Sequence, residues 1–196
     1  AVTEMLVSSL LALPLEEIRG RLPGFLASYV TASGPTRAEI IEGVSEVRRS
    51  SELVEWEALL TRMHELGADF GFYEANPLAA RIAVAFMEPL VAADSTLQGL
   101  EYLDAALAEL RAGRRIMIVG NHLSYADTMA MGQLLVRSGR SEVRALLTAV
   151  AGPKVYSEPM RLLAAAGLHS IKVAQSSRVA TGQPELSPRE IVRIAR

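Results

Sequence analysis

The chain has 196 residues, enough for one domain with a sizeable core, and 50% of them are hydrophobic while 21% are charged. A formal net charge of -2 excludes the broad basic field that drives nucleic-acid binding. The absence of cysteine excludes disulfides, thiolate catalysis and cysteine-bound zinc. The apolar composition is compatible with a lipidic substrate or with contact at a membrane surface.

The first half of the chain has the period of helices from residue 2 to about residue 110, and no strand is predicted there. Turn residues interrupt this pattern at Pro14 and within 22–24 and 33–35. Between residues 53 and 66 the apolar side chains gather on one face and the charged ones lie largely opposite, which is typical of a bundle helix.

Helix boundaries are predicted from local signals in two further places. Asn76 followed by Pro77 indicates a turn, and the sequence 95–98 has the capping-box pattern of a helix start. We expect this box to open a helix that continues to Leu110 and ends at Gly113.

After Gly113 the pattern changes to short apolar runs alternating with helical segments. Strands are predicted at 114–120, 143–148 and 168–174, and helices at 128–137 and 158–166. This alternation predicts an α/β fold in which helices cross between strands of one sheet. We therefore divide the chain into a helical bundle, 1–75, and an α/β domain, 76–196.

The end of the chain has two further features. Residues 175–184 are rich in small and polar residues and are predicted to be a linker. Ser187 to Glu190 form a capping box with proline at the first helical position, and few residues follow. With only three predicted strands, these features favour an α/β domain that is incomplete at its C-terminus.

The segment NHLSYAD, residues 121–127, carries the residues with the clearest chemistry. It follows a predicted strand and precedes a predicted helix, which is where open α/β sheets place their sites. Asp127 could accept a hydrogen bond from one imidazole nitrogen of His122 and fix its tautomer, so that the other nitrogen acts as a base. Attack of an alcohol on a thioester needs such a base, and a bound alcohol can attack directly without an acyl-enzyme. Backbone N–H groups at the start of the helix could bind an anion.

A purely structural interpretation of the same residues stays open. Asn121 could form the turn and Asp127 could cap the helix, because both residue types are favoured locally for those reasons.

The segment NHLSYAD after IMIVG resembles the NHx4D signature of the glycerolipid acyltransferases, and most closely that of the soluble, chloroplast-type glycerol-3-phosphate acyltransferases and their bacterial relatives. The similarity includes a helical N-terminal domain and several further segments. These are LRAGRRIMIVGNH, AGPKVYSEP, GLHSIKV and PEL. The resemblance implies a helical bundle followed by an αβα-layered acyltransferase sheet domain.

By this resemblance His122 would be the general base, Asp127 its orienting partner, and basic residues after the third strand would hold the phosphate of the acceptor. The family's lysine-rich stretch is replaced here by 175–178, so Arg178 is the best phosphate candidate and Lys172 a weaker one. The family's later glycine-rich motif would lie beyond residue 196. These departures leave the identity of the acceptor open.

The expected activity is transfer of a fatty acyl group from an acyl carrier protein or from acyl-CoA to glycerol 3-phosphate. The alternatives are lysophosphatidate or another lipid alcohol as acceptor, and an inactive module that binds the acyl donor. No cofactor is expected. No metal is expected, because the three histidines have no metal-ligand spacing, and no nucleic acid is expected, because the net charge is -2. The expected location is the cytoplasm or the plastid stroma, with peripheral contact to a membrane.

The remaining histidines and basic residues have mainly structural interpretations. His64 is predicted to be a partly exposed bundle residue, and His169 a strand residue with a structural role. A group of basic residues could form a surface for an acidic carrier protein or for the phosphates of coenzyme A, although solvated positions at element ends are the simpler interpretation of most of them. This group comprises Arg114, Arg115, Arg137, Arg140, Arg144 and Lys154.

Overall fold

The computed structural model describes residues 12–31, 34–68, 70–121 and 124–173 of the chain. In chain order its elements are α1 (Leu15–Ser28), α2 (Gly34–Arg49), α3 (Leu53–Ala68), β1 (Gly71–Tyr73), α4 (Pro77–Met87), α5 (Leu100–Arg111), α6 (Asp127–Arg137), α7 (Ser141–Leu146), β2 (Thr148–Ala151), α8 (Pro153–Tyr156), α9 (Pro159–Ala166) and β3 (His169–Lys172). The fold is therefore mixed and rich in helix, with a small sheet, and the predicted α/β class is confirmed at this level.

The helical half is built as the sequence predicts, with one correction. In α3 the side chains of Trp56, Leu59 and Met63 are buried on one face, as the bundle pattern requires. The turn predicted at 22–24 is wrong, because α1 continues through Pro23 to Ser28. Proline removes one helical hydrogen bond, but the buried apolar face of α1 continues past it to Leu26, which holds the helix against the core.

The prediction that the first half has no strand is wrong. Gly71–Tyr73 form β1, which pairs antiparallel with β3, with Phe72 opposite Ile171. Three residues are too few to show the alternation of a strand, and the pairing partner lies far along the chain. Local pattern therefore carries little signal for this strand.

The sheet has the order β1-β3-β2, with β2 parallel to β3 and Ala149 opposite Ser170. The strand predicted at 168–174 is confirmed as β3, although residue 174 lies outside the described part of the chain. The strand predicted at 143–148 is wrong over most of its length, because α7 extends to Leu146 and β2 begins at Thr148. The α8 and α9 helices connect β2 to β3, as a parallel pair requires.

The strand predicted at 114–120 is also wrong in this structure. The segment has no regular secondary structure and belongs to none of the three strands. Its apolar side chains lie at the surface, with Met117 86% exposed and Val119 84% exposed. A short apolar run predicts extended backbone, but burial depends on a neighbouring strand that is not found here.

Two hydrophobic clusters hold the helices together. The larger cluster contains described residues of α1, α2, α3 and α4 together with residues of α8 and α9. It therefore contains residues from both sides of the division predicted after residue 75. The smaller one is centred on Leu107, Leu135 and Val143 and fastens α6 to α5 and α7. The division into 1–75 and 76–196 stays a prediction.

The start of α4 packs against the turn between α9 and β3. Asn76 precedes α4 and accepts a hydrogen bond from the Ala79 N–H at 3.0 Å through Oδ1. The Asn76 N–H donates to the Ala166 carbonyl at 2.7 Å. A side chain on Gly167 would come within 3.0 Å of the Ala79 backbone, so only glycine fits this approach without movement.

The capping box predicted at 95–98 is wrong. The helix α5 begins at Leu100 and is preceded by Gly99 in a left-handed conformation with φ of 73°. The predicted end is correct, because Gly113 has φ of 81° and donates to the Leu110 carbonyl at 2.9 Å. Within the described ranges, no helix combines the length and apolar character needed to cross a membrane.

Candidate functional site

The C-terminal part of the NHLSYAD segment forms a tight turn into α6. The Ser124 N–H donates to Asp127 Oδ2 at 2.9 Å, and Ser124 Oγ accepts from the Ala126 N–H at 3.1 Å. The Asp127 N–H donates in turn to the Ser124 carbonyl at 3.1 Å. The local role of Asp127, which is to fix the turn at the start of the helix, is therefore present.

The partner assigned to Asp127 by the sequence, His122, lies outside the described residues, as does Leu123. The pairing of His122 with Asp127 therefore stays a prediction. The strand expected before them is absent, as described above, and the site does not follow a sheet strand directly.

Tyr125 connects the turn to α9. The guanidinium carbon of Arg161, in α9, lies 3.9 Å from the centre of the Tyr125 ring, within the range of a cation–π contact. Arg161 lies in the first turn of α9, and the carboxylate of the preceding Glu158 accepts from the N–H groups of Met160 and Arg161 at 3.1 and 3.0 Å. The turn that carries Asp127 is thus held from α9 as well as from α6.

A narrow cleft lies beside the first turns of α6. Its walls come from α4, α6, α7 and the end of α9 with the residue that precedes β3. They comprise Ala83, Val84, Thr128, Met129, Gly132, Gln133, Arg144, Ala164 and Leu168. Thr128 directly follows Asp127, so the cleft is adjacent in the chain to the proposed catalytic residues.

Three polar side chains line this cleft, those of Thr128, Gln133 and Arg144. Arg144 is partly buried, and burial lowers the pKa of its guanidinium. Its Nη2 donates to the Ala80 carbonyl at 3.2 Å. Gln133 is 2% exposed, its Nε2 donates to the Glu88 carboxylate, and its Oε1 is buried with no hydrogen-bond partner.

The structure puts Lys172 in a buried position. The residue is 4% exposed, and Nζ donates to the Leu66 carbonyl at 2.9 Å. The same ammonium lies 5.1 Å from the centre of the Tyr156 ring and 5.6 Å from that of Phe70. Contact with a substrate phosphate would require Lys172 to leave these internal partners, and Arg178 lies outside the described residues.

The two described histidines have structural contacts. His64 is exposed on α3, and its Nδ1 lies 2.9 Å from the Leu60 carbonyl, in agreement with the prediction for this residue. His169 stacks on Phe72 with 5.7 Å between ring centres. The His169 Nδ1 accepts from the Ala75 N–H at 3.3 Å, which supports the structural interpretation.

Three of the six basic residues considered as a docking surface have acidic partners. Arg114 pairs with Glu109, and Arg140 forms two hydrogen bonds to Asp104, both 2.8 Å long. Arg137 bonds both the backbone and the carboxylate of Glu88. The simpler interpretation therefore holds for these three. No acidic side chain pairs with Arg144, Arg115 or Lys154 in the part of the chain that the structure describes. Of these three, Arg144 is partly buried and the other two are exposed.

No sequence pattern points specifically to the cleft. Arg144 is one of six basic residues with no distinguishing neighbour, and Gln133 is one of three polar residues in the predicted helix 128–137. Only the packing of α4 and α7 against α6 brings the two together. Among the described residues there is no group of three or more His, Cys, Asp or Glu side chains that could hold a metal ion.

Comparison with other proteins adds no relationship: no protein-family model, curated protein or solved structure matches this chain.

Proposed function

We propose that the protein is an O-acyltransferase that moves a fatty acyl group from an acyl thioester to the hydroxyl of a glycerophosphate. The observation that carries the proposal is the segment 121–127, which runs directly into α6 with the Asp127 carboxylate fixed by the Ser124 N–H at 2.9 Å. The carboxylate is held at a set position five residues after His122, and a positioned histidine base requires such a carboxylate as its orienting partner.

The reaction needs one base and no covalent intermediate. His122 takes the proton of the acceptor hydroxyl while the oxygen of that hydroxyl attacks the thioester carbonyl. The Asp127 carboxylate stabilises the imidazolium that forms. The tetrahedral intermediate collapses with loss of the donor thiolate. His122 returns the proton to this sulfur, so that an ester and a thiol are the products.

The donor is acyl-CoA or an acyl carrier protein, and the acceptor of the main proposal is glycerol 3-phosphate. Arg178, which lies outside the described residues, remains a candidate phosphate contact. Lys172 is left out of the proposal because its ammonium binds the Leu66 carbonyl in the protein interior.

Two substitutions test the mechanism. We expect His122→Ala to lower acyl transfer by about 10²- to 10⁴-fold, which is the usual contribution of a general base. Asp127→Asn keeps an oxygen that accepts from the Ser124 N–H and removes the charge, so it should preserve the turn and lower the rate by about 100-fold or more.

The matched control is His64→Ala, because His64 is an exposed histidine on α3 whose loss should leave the rate unchanged. Transfer is measured with a labelled acyl donor and a panel of acceptors, and circular dichroism checks the fold of each variant. A near wild-type rate for His122→Ala would remove the mechanism.

A second function, binding of an acyl donor without turnover, is favoured by one observation. The hydrogen bond from the Ser124 N–H explains an aspartate at position 127 without any catalytic role. Saturable binding of an acyl thioester with no product from any acceptor would support this function. In that case Asp127→Asn would leave donor binding unchanged.

A further inference from the structure

The cleft beside α6 has a charge that is not neutralised within the described part of the protein. Arg111, Arg137 and Arg140 each bond a carboxylate. Arg144 instead bonds only the Ala80 carbonyl, and its guanidinium is half-buried against Gly132, whose position would place a Cβ 3.5 Å from Nε. A partly buried guanidinium without a carboxylate is a good binding group for an external anion.

The second polar group of the cleft is an acceptor. Gln133 is fixed through its Nε2 bond to Glu88, and Oε1 is buried without a donor. A buried acceptor that lacks a hydrogen bond carries a desolvation penalty, which a hydroxyl or N–H of a ligand would remove. Gln133 is one of the residues that line the cleft, so the missing donor would come from a group that enters there.

The position of the cleft agrees with a role for an anion. Thr128 and Met129 belong to the first turn of α6, where the helix dipole favours negative charge. The space within the cleft is about that of one water molecule, which is also the space of a single hydroxyl oxygen. A ligand would therefore place one oxygen inside and keep its larger charged group at the mouth.

We propose that this cleft binds the head of the acyl acceptor, with its anionic group against the Arg144 guanidinium and one of its hydroxyls donating to Gln133 Oε1. The ligand class is a small phosphate ester that has an unesterified hydroxyl. The assignment of this ligand as the acyl acceptor rests on the proposed acyl transfer. Binding of the ligand in the cleft needs neither an acyl donor nor His122.

The test is calorimetric titration of the protein with glycerol 3-phosphate, inorganic phosphate and glycerol as separate probes. We expect glycerol 3-phosphate to bind more tightly than phosphate, and glycerol to show no binding. Arg144→Gln should weaken the binding of glycerol 3-phosphate at least tenfold. Arg144→Lys, which keeps the charge, should weaken this binding less. Gln133→Leu should reduce the affinity for glycerol 3-phosphate to that for phosphate.

The matched control is Arg111→Gln, which removes the same charge from an exposed arginine paired with Glu142 and should change the affinity less than twofold. Thermal melts show whether each variant is folded. The proposal is overturned if folded Arg144→Gln binds as wild type does, or if glycerol 3-phosphate does not bind.

The two proposals fail in different ways. His122→Ala should retain the binding of glycerol 3-phosphate. If His122→Ala also retained acyl transfer, the catalytic mechanism would fail and the cleft would stand. If transfer required His122 but Arg144→Gln left the acceptor KM unchanged, the cleft assignment would fail and the mechanism would stand.

Discussion

Replacing Asn76 tests how α4 begins. In Asn76→Ala the Ala79 N–H, in a fully buried residue, loses the Oδ1 acceptor that lies 3.0 Å away. Loss of an N-cap side chain costs about 0.5–2 kcal/mol, and a buried donor left without a partner costs about 1–3 kcal/mol. These ranges describe the same bond, so we expect the free energy of unfolding to fall by about 2 kcal/mol.

The matched comparison is Ser95→Ala. Capping-box logic predicts a similar loss at Ser95, whereas the structure begins α5 at Leu100 with no side-chain cap. We therefore expect Ser95→Ala to change the free energy of unfolding by less than about 0.5 kcal/mol. Asn76→Ser, which keeps an N-cap acceptor, should recover most of the loss at position 76.

Urea unfolding provides the assay, followed by circular dichroism and by the fluorescence of Trp56. Trp56 is the single tryptophan, is 1% exposed and lies in the larger cluster, so it reports on the core. A loss of about 2 kcal/mol moves the midpoint by about 1 M urea. Equal midpoints for Asn76→Ala and wild type, or a large shift for Ser95→Ala, would refute the reasoning.

Two further predictions concern packing and pH. Gly167→Ala should lower the free energy of unfolding by about 1–3 kcal/mol, because the new Cβ would press on the Ala79 backbone at 3.0 Å. Gly20→Ala has open space in an exposed part of α1, so it should raise the free energy of unfolding by about 0.5–1 kcal/mol. Both follow from urea midpoints, and equal effects at the two positions would contradict the packing argument. Burial raises the pKa of Tyr156 to about 12, so the folded protein keeps this proton above pH 10 while the unfolded chain loses it. The free energy of unfolding should therefore fall as the pH rises from about 10 to about 12, and Tyr156→Phe should reduce this fall. If wild type and Tyr156→Phe showed the same dependence of the urea midpoint on pH, the raised pKa would not belong to Tyr156.

Local pattern predicts helices well in this chain, and it does so where burial repeats along one element. The α3 helix has Trp56, Leu59 and Met63 on its buried face, and the predicted helix 128–137 is found as α6. Gly113 ends α5 because a left-handed residue is needed there, which is a property of the residue itself.

Strands are predicted less well because a strand needs a partner. The segment 114–120 has the composition of a buried strand, yet Met117 and Val119 are exposed. The residues of β1 have no strand pattern, yet they pair with β3. In both cases the outcome depends on which distant segment lies beside the strand, and composition does not contain that information.

The candidate site divides in the same way. The turn at Asp127 follows from residues three positions apart, and the sequence anticipated it as an alternative. The cleft between Arg144 and Gln133 requires α4, α6 and α7 to meet, so only tertiary structure reveals it. Lys172 lies within β3, and the direction of its side chain towards Leu66 is likewise a property of the packing.

The contacts that close the sheet also have a consequence for the order of folding. Lys172 bonds Leu66 across 106 positions of sequence, and His169 bonds Ala75 across 94. Such contacts require the ends of a long loop to meet, so we expect them to form after the local helices. The helix that carries Asp127 lies within this loop, and it is therefore enclosed by the native structure late in folding, when β1 and β3 pair.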